Sequence, residues 1–332
     1  MSKLLRSYDQ LIRTKLTRYA GNPIIPHTGI SGDWKEWQVQ ESFVFNDPND
    51  ASKLIMFYSG ARPPDVQRAS IGRATADLSN PFVWIDDPSN PILTPGASYY
   101  NEVYIRLDSV LYVDGVYWLY STGMSPNTTD KDGKPEPGFN SIHLARSTDG
   151  VHFVWCEDSI LLPAGNEREV SQGAVLKEGD DWYMYYSYRT RSGEILPGIR
   201  LARSADGLHW TKTGQQILSR TPGSYDSRYY EWHQILKLGS DYVLLSECFD
   251  GKHWSVSAAH STSPGTGWTK KDTPLFERSG VPGAFDVHHV ATPAIFDVGS
   301  RVMLFYQGGN NPDNYIMSNW DIGVAYSEEL TR

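Results

Sequence analysis

The feature that most constrains this chain is a degenerate repeat that occurs five times within its 332 residues. Each copy is an apolar strand, a turn containing Gly or Asp, and a second apolar strand that is often rich in Tyr. The copies are found at residues 43–60, 110–123, 174–187, 235–247 and 294–308. A unit of this kind buries its apolar faces by packing against neighbouring copies. The repeat therefore indicates one array of packed units rather than two independent domains.

Two further strand patterns accompany the copies. A third strand of the type Ile-x-Leu-Ala follows at residues 70–76, 141–147, 198–204, 255–261 and 321–327. A fourth strand of the type Asn-Pro-Ile-Leu follows only four of these, at residues 90–93, 159–162, 215–218 and 273–276. Its missing counterpart is found near the N-terminus, at residues 22–25. The pattern predicts an all-β, five-bladed β-propeller over residues 21–332, whose last blade is closed by the N-terminal strand.

The first 20 residues have apolar side chains at helical spacing and predict a short amphipathic helix over residues 1–20. The residues on this face are Leu4, Leu5, Tyr8, Leu11, Ile12, Lys15 and Tyr19. The helix would pack beneath the propeller or against a partner subunit, and the second arrangement would give a homodimer. Attachment to a membrane surface is disfavoured, because such a helix usually has a more basic polar face.

Charge and hydropathy restrict the partners and the location. The net charge is -9 and no run of basic residues occurs, so we expect no nucleic acid partner. Charged residues interrupt every candidate secretory signal, and no apolar stretch is long enough to span a membrane. We therefore expect a cytoplasmic protein that has no membrane partner and binds a neutral or cationic ligand.

Functional residues of a propeller are expected where its inner strands begin, because these strands line the central channel. Aligning the five inner strands places one residue of each in an equivalent slot: Glu41, Asp108, Gln172, Trp232 and Thr292. Other ionisable residues lie near the slots: Glu169, Glu231, Asp286, His288 and His289. Buried ionisable groups are unfavourable unless they pair or take part in function. Their concentration predicts a site at one end of the channel.

Taken together, these motifs resemble the five-bladed, furanosidase-type glycoside hydrolases of families 43, 62, 32, 68 and 117. The resemblance rests on the Asn-Pro-Ile-Leu strands, on the third strand followed by Ser-x-Asp-Gly-x-x-Trp at residues 204–210, and on the acidic slots. It covers residues 21–332. It implies a glycosidase that acts on short oligosaccharides, although it does not identify the sugar.

The resemblance also implies roles for individual acids. Glu41 would be the base or nucleophile and Asp108 a stabiliser, while Glu169 or Glu231 would donate the proton. Glycosidic cleavage needs such a set, because one carboxylate assists attack at the sugar while another acid protonates the leaving oxygen.

The sequence departs from the family pattern at two positions. Glu41 stands where families 43 and 32 mostly have Asp, and Ser171 stands where the acid of the third blade is usual. A histidine donor, His288 or His289, therefore stays an alternative, as the resemblance to family 117 implies.

Several residues near the slots are of types that bind sugars through aromatic stacking or hydrogen bonds. We expect substrate contacts from Trp37, Tyr104, Arg106, Gln172, Trp232, His233, His288 and His289. Long segments at residues 125–140 and 308–319 would wall off a pocket for an exo-acting enzyme, or else would be surface loops.

Two other functions fit the same architecture. A glycoside phosphorylase of the family 130 type would need basic residues for phosphate, for which Arg168, Arg189, Arg191 and Arg228 are candidates. A non-catalytic sugar-binding propeller is the second alternative. We expect no cofactor and no metal ligands, since no spaced set of Cys and His occurs. A structural calcium ion in the channel, by analogy with family 43, is left open.

Overall fold

The five repeats form five antiparallel sheets of four strands each, arranged as the blades of a β-propeller in the computed structural model. The structure describes residues 5–63, 68–96, 98–129, 135–193, 195–312 and 319–328. Consecutive strands of a blade are neighbours in its sheet, because short turns join antiparallel strands. The predicted fold class is confirmed.

The described elements have the following bounds. Helix α1 (Tyr8–Arg13) and strand β1 (Thr17–Arg18) come first. Blade 1 contains β2 (Gln38–Asn46), β3 (Lys53–Ala61), β4 (Ala69–Asp77) and β5 (Asn80–Asp86). Blade 2, preceded by a 3₁₀ turn (Tyr99–Asn101), contains β6 (Tyr104–Val113), β7 (Val116–Met124), the inserted hairpin β8 (Thr128–Thr129) and β9 (Pro135–Glu136), β10 (Asn140–Ser147) and β11 (Val154–Leu161). Blade 3 contains β12 (Glu167–Glu178), β13 (Asp181–Thr190), β14 (Ile195–Ser204) and β15 (Thr211–Ser219). Blade 4 contains β16 (Tyr229–Leu238), β17 (Asp241–Phe249), β18 (Trp254–Ser261) and β19 (Thr269–Lys270). Blade 5 contains β20 (His289–Asp297), β21 (Val302–Gly309) and β22 (Trp320–Tyr326).

The N-terminal segment supplies the fourth strand of blade 5. Strand β1 pairs with β22, with Thr17 opposite Tyr326, and Ile25 forms an isolated bridge with Ile322. The pairing confirms that the last blade is closed by the N-terminal strand. This closing strand lies at Thr17–Arg18, earlier in the chain than residues 22–25, where the sequence pattern predicted it.

Helix α1 is correspondingly shorter than the segment 1–20 that was expected to be helical. Ser7 caps its beginning by accepting a hydrogen bond from the backbone N–H of Gln10 at 3.2 Å. Thr14 at its end is extended, and the residues that follow pair with β22. Strand pairing thus overrides the helical spacing beyond Arg13. Leu4 lies outside the described residues.

The N-terminal segment packs beneath blades 4 and 5. Leu5, Tyr8 and Leu11 are buried in the apolar cluster that these two blades share. The backbone N–H of Tyr8 donates to Asp241 at 2.9 Å, and the Tyr8 ring stacks on His260 with centroids 4.0 Å apart. The helix therefore packs beneath the propeller, which is the first of the two arrangements expected for it. The homodimer stays a prediction. No helix in the described ranges is long and apolar enough to cross a membrane.

Five apolar clusters of described residues each join two neighbouring blades. Between blades 2 and 3, for example, the rings of Trp118 and Trp182 lie 5.1 Å apart. Between blades 5 and 1, Phe305 and Ile25 share a cluster with Met56. Since each blade packs on two others, the inner strands β2, β6, β12, β16 and β20 are held in contact around one axis.

Candidate active site

The five slot residues lie at the same structural feature, a β-bulge in each inner strand. In blades 1, 3 and 5 the bulge residue has positive φ: Glu41 at 44°, Gln172 at 58° and Thr292 at 45°. Such values are unusual for residues other than Gly and are strained for a β-branched Thr. Bulges re-aim side chains and are common beside active sites. We call the end of the channel at which the inner strands begin the channel mouth.

Side chains of the adjacent blade support the bulged backbone. The N–H of Gln172 donates to Thr122 Oγ1 at 2.7 Å, and the N–H of Thr292 donates to Glu247 Oε2 at 2.8 Å. Each supporting residue lies on the second strand of the preceding blade. The strained positions are therefore fixed by the packing of one blade on the next.

Glu41 is buried at the channel mouth and faces Arg106 of blade 2. Its Oε1 lies 3.4 Å from Arg106 Nη1, and the guanidinium of Arg106 lies over the ring of Tyr104, 5.6 Å from the centroid. Burial raises the pKa of Glu41, and Arg106 opposes that shift. Oε2 of Glu41 has no hydrogen-bond partner among the described residues. A buried oxygen without a partner needs a ligand or a water molecule to satisfy its hydrogen-bonding capacity.

Asp108 is the most enclosed of the predicted catalytic residues, with 1% of its surface exposed. The hydroxyl of Thr122 lies 2.9 and 3.0 Å from its two carboxyl oxygens, and the backbone N–H of Gly173 also bonds to it. Burial nevertheless raises the pKa of Asp108 to about 8. The carboxyl is thus largely protonated at neutral pH.

Glu231 forms a carboxyl pair with Glu247, a residue that the sequence reasoning missed. The two are register partners on β16 and β17, and their side chains are hydrogen-bonded. Burial raises the pKa of both, and for Glu247 the charge of Glu231 adds to the effect. A hydrogen bond between two carboxyls requires that one keep its proton. Glu231 is half-buried and Glu247 is fully buried, so Glu231 is the member nearer to solvent.

A sequence signal for Glu247 did exist. It is an acid in the interior of strand β17, and its counterparts on the second strands of the other blades are neutral: Ser59, Ser121, Ser187 and Gln307. Comparing second strands as well as inner strands would have identified it.

Glu169 belongs to the same electrostatic group. It is held by Arg189, whose Nε lies 2.7 Å from Glu169 Oε1. Burial raises the pKa of Tyr104 to about 12, and the charges of Glu169 and Glu231 contribute to that shift. The structure therefore brings Glu41, Glu169 and Glu231 together around Arg106 and Tyr104 at the channel mouth.

Trp232 and His233, both expected to contact substrate, lie inside the protein instead. The indole N–H of Trp232 donates to the carbonyl of Leu107 at 2.7 Å, which spans the channel from blade 4 to blade 2. The His233 ring lies between the hydroxyls of Ser187 and Ser246, each at 2.9 Å, and burial lowers its pKa to about 3. The bulge at Trp232 reverses the side-chain alternation, which turns His233 away from the channel.

The two blade-five histidines differ from each other. His289 is buried, accepts the backbone N–H of Trp254 on Nδ1 at 3.4 Å and donates from Nε2 to the carbonyl of Asn311 at 3.0 Å. Burial lowers its pKa to about 4, so the ring is neutral. His288 instead lines an open cleft of about 1060 Å³ together with Arg278. Of the two, only His288 faces a space that could hold a ligand.

The remaining predicted contacts lie near the mouth. Trp37 lies immediately before β2, and Gln172 lies at the bulge of β12. Both residues are half-buried. In the long blade-two segment, Glu136 and Phe139 line a cleft of about 480 Å³ against blade 3. This part of the segment therefore forms one side of that cleft. In the segment 308–319, residues 313–318 lie outside the described residues.

No group of three or more His, Cys, Asp or Glu side chains within the described ranges is arranged to hold a metal ion. The expected absence of metal and cofactor stays a prediction.

No model of a known protein family matches the chain. The chain is similar to the uncharacterized protein Rv1502 of Mycobacterium tuberculosis strain H37Rv, with 27% identity over 269 residues that cover 77% of this chain and 83% of the relative. Protein MT1551 of Mycobacterium tuberculosis strain CDC 1551 matches equally, at 27% identity over the same shares of the two chains.

Solved structures share the fold over nearly their whole length. One belongs to the GH130 family of mannoside phosphorylases, which contains glycoside hydrolases that target β-1,2-mannosidic linkages in Candida mannan (TM-score 0.66, 14% identity, 95% of this chain and 94% of that chain). Another is the β-1,2-mannobiose phosphorylase of Listeria innocua with β-1,2-mannobiose (TM-score 0.67, 13% identity, 94% and 97%), and a third is a glycoside hydrolase (TM-score 0.69, 15% identity, 98% and 97%). At such identities the likeness establishes the five-bladed fold. It does not confirm the furanosidase-type families that the motifs resembled, and the first of these structures belongs to family 130 instead.

Proposed function

We propose that this protein cleaves the glycosidic bonds of short oligosaccharides by hydrolysis, at the channel mouth. The observation that carries the proposal is the group of acids at the channel mouth, Glu41 and Asp108, which are buried, and Glu231, which is half-buried, because the pKa values of all three are raised. Raised pKa values in a group of neighbouring acids are typical of acid–base catalysis. Solved propellers of similar fold include glycoside hydrolases, which supports the same class of substrate.

Glu231 is the proposed general acid and Glu41 the proposed general base. Glu231 is the accessible member of a carboxyl pair that keeps a proton, so it can protonate the glycosidic oxygen as the bond to the sugar breaks. Glu41 has one unpartnered oxygen, which can accept a proton from water while that water attacks the anomeric carbon. Protonated Asp108 lies deeper and would stabilise the bulge at Gln172 through Thr122.

Two ion pairs at the mouth favour hydrolysis over phosphorolysis. Arg106 faces Glu41 and Arg189 is ion-paired with Glu169, so an incoming phosphate would have to displace a carboxylate from each of these cations. Glu169 is accordingly proposed to orient Arg189 rather than to donate the proton.

Phosphorolysis is the second candidate, favoured by Arg168 and Arg191 in the cleft between blades 2 and 3 and by the likeness to a mannobiose phosphorylase. The test is turnover of a panel of oligosaccharides and aryl glycosides, including β-1,2-mannobiose, with and without inorganic phosphate. Hydrolysis releases free sugars at a rate independent of phosphate, whereas phosphorolysis requires phosphate and yields a sugar 1-phosphate. Binding of a sugar with no cleavage under either condition would favour the non-catalytic propeller.

A further inference from the structure

The cleft between blades 2 and 3 has a volume of about 480 Å³, within the range of small-molecule sites. Blade 3 contributes Arg168 and Arg191, and blade 2 contributes Tyr100, Glu136 and Phe139. Arg168 immediately precedes Glu169 in β12, and one residue of an extended strand spans about 3.3 Å. The cleft and the group of acids at the channel mouth therefore share the beginning of β12.

The blade-two side of the cleft is aromatic. The rings of Tyr100 and Phe139 lie 6.1 Å apart, and Tyr99 packs edge-on against Tyr100 at 5.4 Å. Leu162 and Pro163 add apolar surface. Aromatic faces of this kind pack against the apolar face of a sugar ring, while a phenol hydroxyl can hydrogen-bond to it.

The blade-three side of the cleft is basic. Arg191 is anchored by its backbone N–H, which donates to Asn166 at 2.8 Å, and by its Nε, which donates to Gly165 at 3.2 Å. Among the described residues that line the cleft, the two guanidinium groups face a single carboxylate, the exposed Glu136. This local excess of positive charge occurs in a chain whose net charge is -9. Guanidinium groups bind carboxylates and phosphates through paired, charge-assisted hydrogen bonds, and a neutral sugar offers no such partner.

We infer that this cleft binds an anionic sugar unit, one that bears a carboxylate or a phosphate ester, next to the bond that is cleaved. The inference rests on the proposed function and names its substrate class, an acidic oligosaccharide. The aromatic side holds the ring, and Arg168 and Arg191 hold the anionic group.

The test is isothermal titration calorimetry of the full chain with four probes: D-galacturonic acid, D-glucose 6-phosphate, D-galactose and inorganic phosphate. None contains a glycosidic bond, so binding is measured without turnover. We expect at least one of the anionic sugars to bind about tenfold or more tightly than D-galactose, since one charge-assisted contact is worth at least that factor. The uronic acid and the phosphate ester distinguish the two sources of the anionic group.

The double variant Arg168→Ala/Arg191→Ala should abolish the preference for the anionic sugar. A control that removes two positive charges elsewhere, Arg13→Ala/Lys15→Ala, should retain it. Equal affinity for galactose and the anionic sugars, or a preference that survives in the double variant, would overturn the inference. Inorganic phosphate binding as tightly as the sugars would also overturn it, because the cleft would then recognise phosphate alone. Anion preference without any hydrolysis would leave the inference standing while the proposed function failed.

Discussion

Two groups of buried carboxyls can be compared in this molecule. The outer group, Glu167, Asp226 and Asp286, pairs with cations from the third and fourth strands of the blades, and the second group lies at the channel mouth. In the outer group each acid has a cation and a tyrosine hydroxyl. Glu167 bonds Arg200 at 2.7 Å and Tyr186 at 3.0 Å and is also bonded by Lys212, while Asp286 bonds Arg18 at 2.6 Å and Tyr306 at 3.0 Å. Asp226 repeats the arrangement with Lys270 and Tyr230.

Asp108 and Glu247 at the channel mouth are equally enclosed but differently partnered. Asp108 has a threonine hydroxyl and a backbone N–H, and Glu247 has Glu231 and a backbone N–H. The pKa values differ accordingly. Burial tends to raise the pKa of Glu167, yet Lys212 and Arg200 together hold it below its ordinary value, while burial raises that of Asp108. Burial alone therefore does not mark a functional acid. A set of partners that leaves the pKa raised does, as for Asp108, for Glu247 and, in spite of Arg106, for Glu41.

The largest effect expected from this comparison is on catalysis. Glu231→Gln should lower kcat by about a hundred- to ten-thousandfold, because the amide cannot protonate the leaving oxygen. The measurement is initial rate on any glycoside that the wild type cleaves, together with a thermal melt. The melt should be nearly unchanged, since Gln can still bond to Glu247. Turnover close to the wild-type rate would remove Glu231 from the mechanism.

The second effect is on stability, in the outer group. Glu167→Gln should lower the free energy of unfolding by about 3–5 kcal/mol, because Arg200 and Lys212 lose their buried counter-charge. Denaturant unfolding at neutral pH measures it. The same change should alter the turnover of the remaining folded enzyme far less than Glu231→Gln does. A wild-type unfolding midpoint would mean that the outer pairs do not stabilise the fold.

The third effect is the pH dependence of stability, which should have opposite signs in the two groups. With a folded pKa of about 8 against an unfolded value of 3.8, Asp108 keeps a proton that the unfolded chain has released. The contribution of Asp108 to the free energy of unfolding is fully present below about pH 4, and it is lost as the pH rises toward about pH 8. In Asp108→Asn the free energy of unfolding should therefore fall less steeply with rising pH, by up to about 1.4 kcal/mol per pH unit.

Unfolding measured at several pH values in this window checks the prediction. Glu167, whose pKa is lowered, contributes stability that is lost as pH falls instead. A slope that Asp108→Asn does not change would show that Asp108 titrates normally.

The smallest effect concerns an exposed pair and sharpens the comparison. Glu178 bonds Lys237 at the surface, where solvent screens the interaction. Glu178→Gln should leave both the midpoint of denaturant unfolding and the turnover close to the wild-type values. The variant is also the matched control for Glu231→Gln, measured in the same two assays. A large loss in either assay would mean that a change from Glu to Gln is not benign in this fold.

The repeat predicted much of the fold and part of the candidate site. It predicted the five blades, their closure and the position of Glu41, Asp108 and Glu231 at one end of the channel, because the alternation of inner strands is visible in residue types. It did not predict Glu247, which lies on a second strand. It also placed His233 in the channel, since the bulge at Trp232 changes which face each later side chain occupies.

The sequence by itself determined that the chain closes into five blades, because a recurring apolar unit with one displaced strand buries its faces completely only in a ring. Only the tertiary structure decided which buried acids pair with cations and which pair with another carboxyl. That distinction depends on contacts between blades, such as Thr292 with Glu247 and Gln172 with Thr122, whose partners lie far apart in the chain. No local pattern encodes them, because hydrogen bonds and pKa values depend on the distances and burial that folding sets.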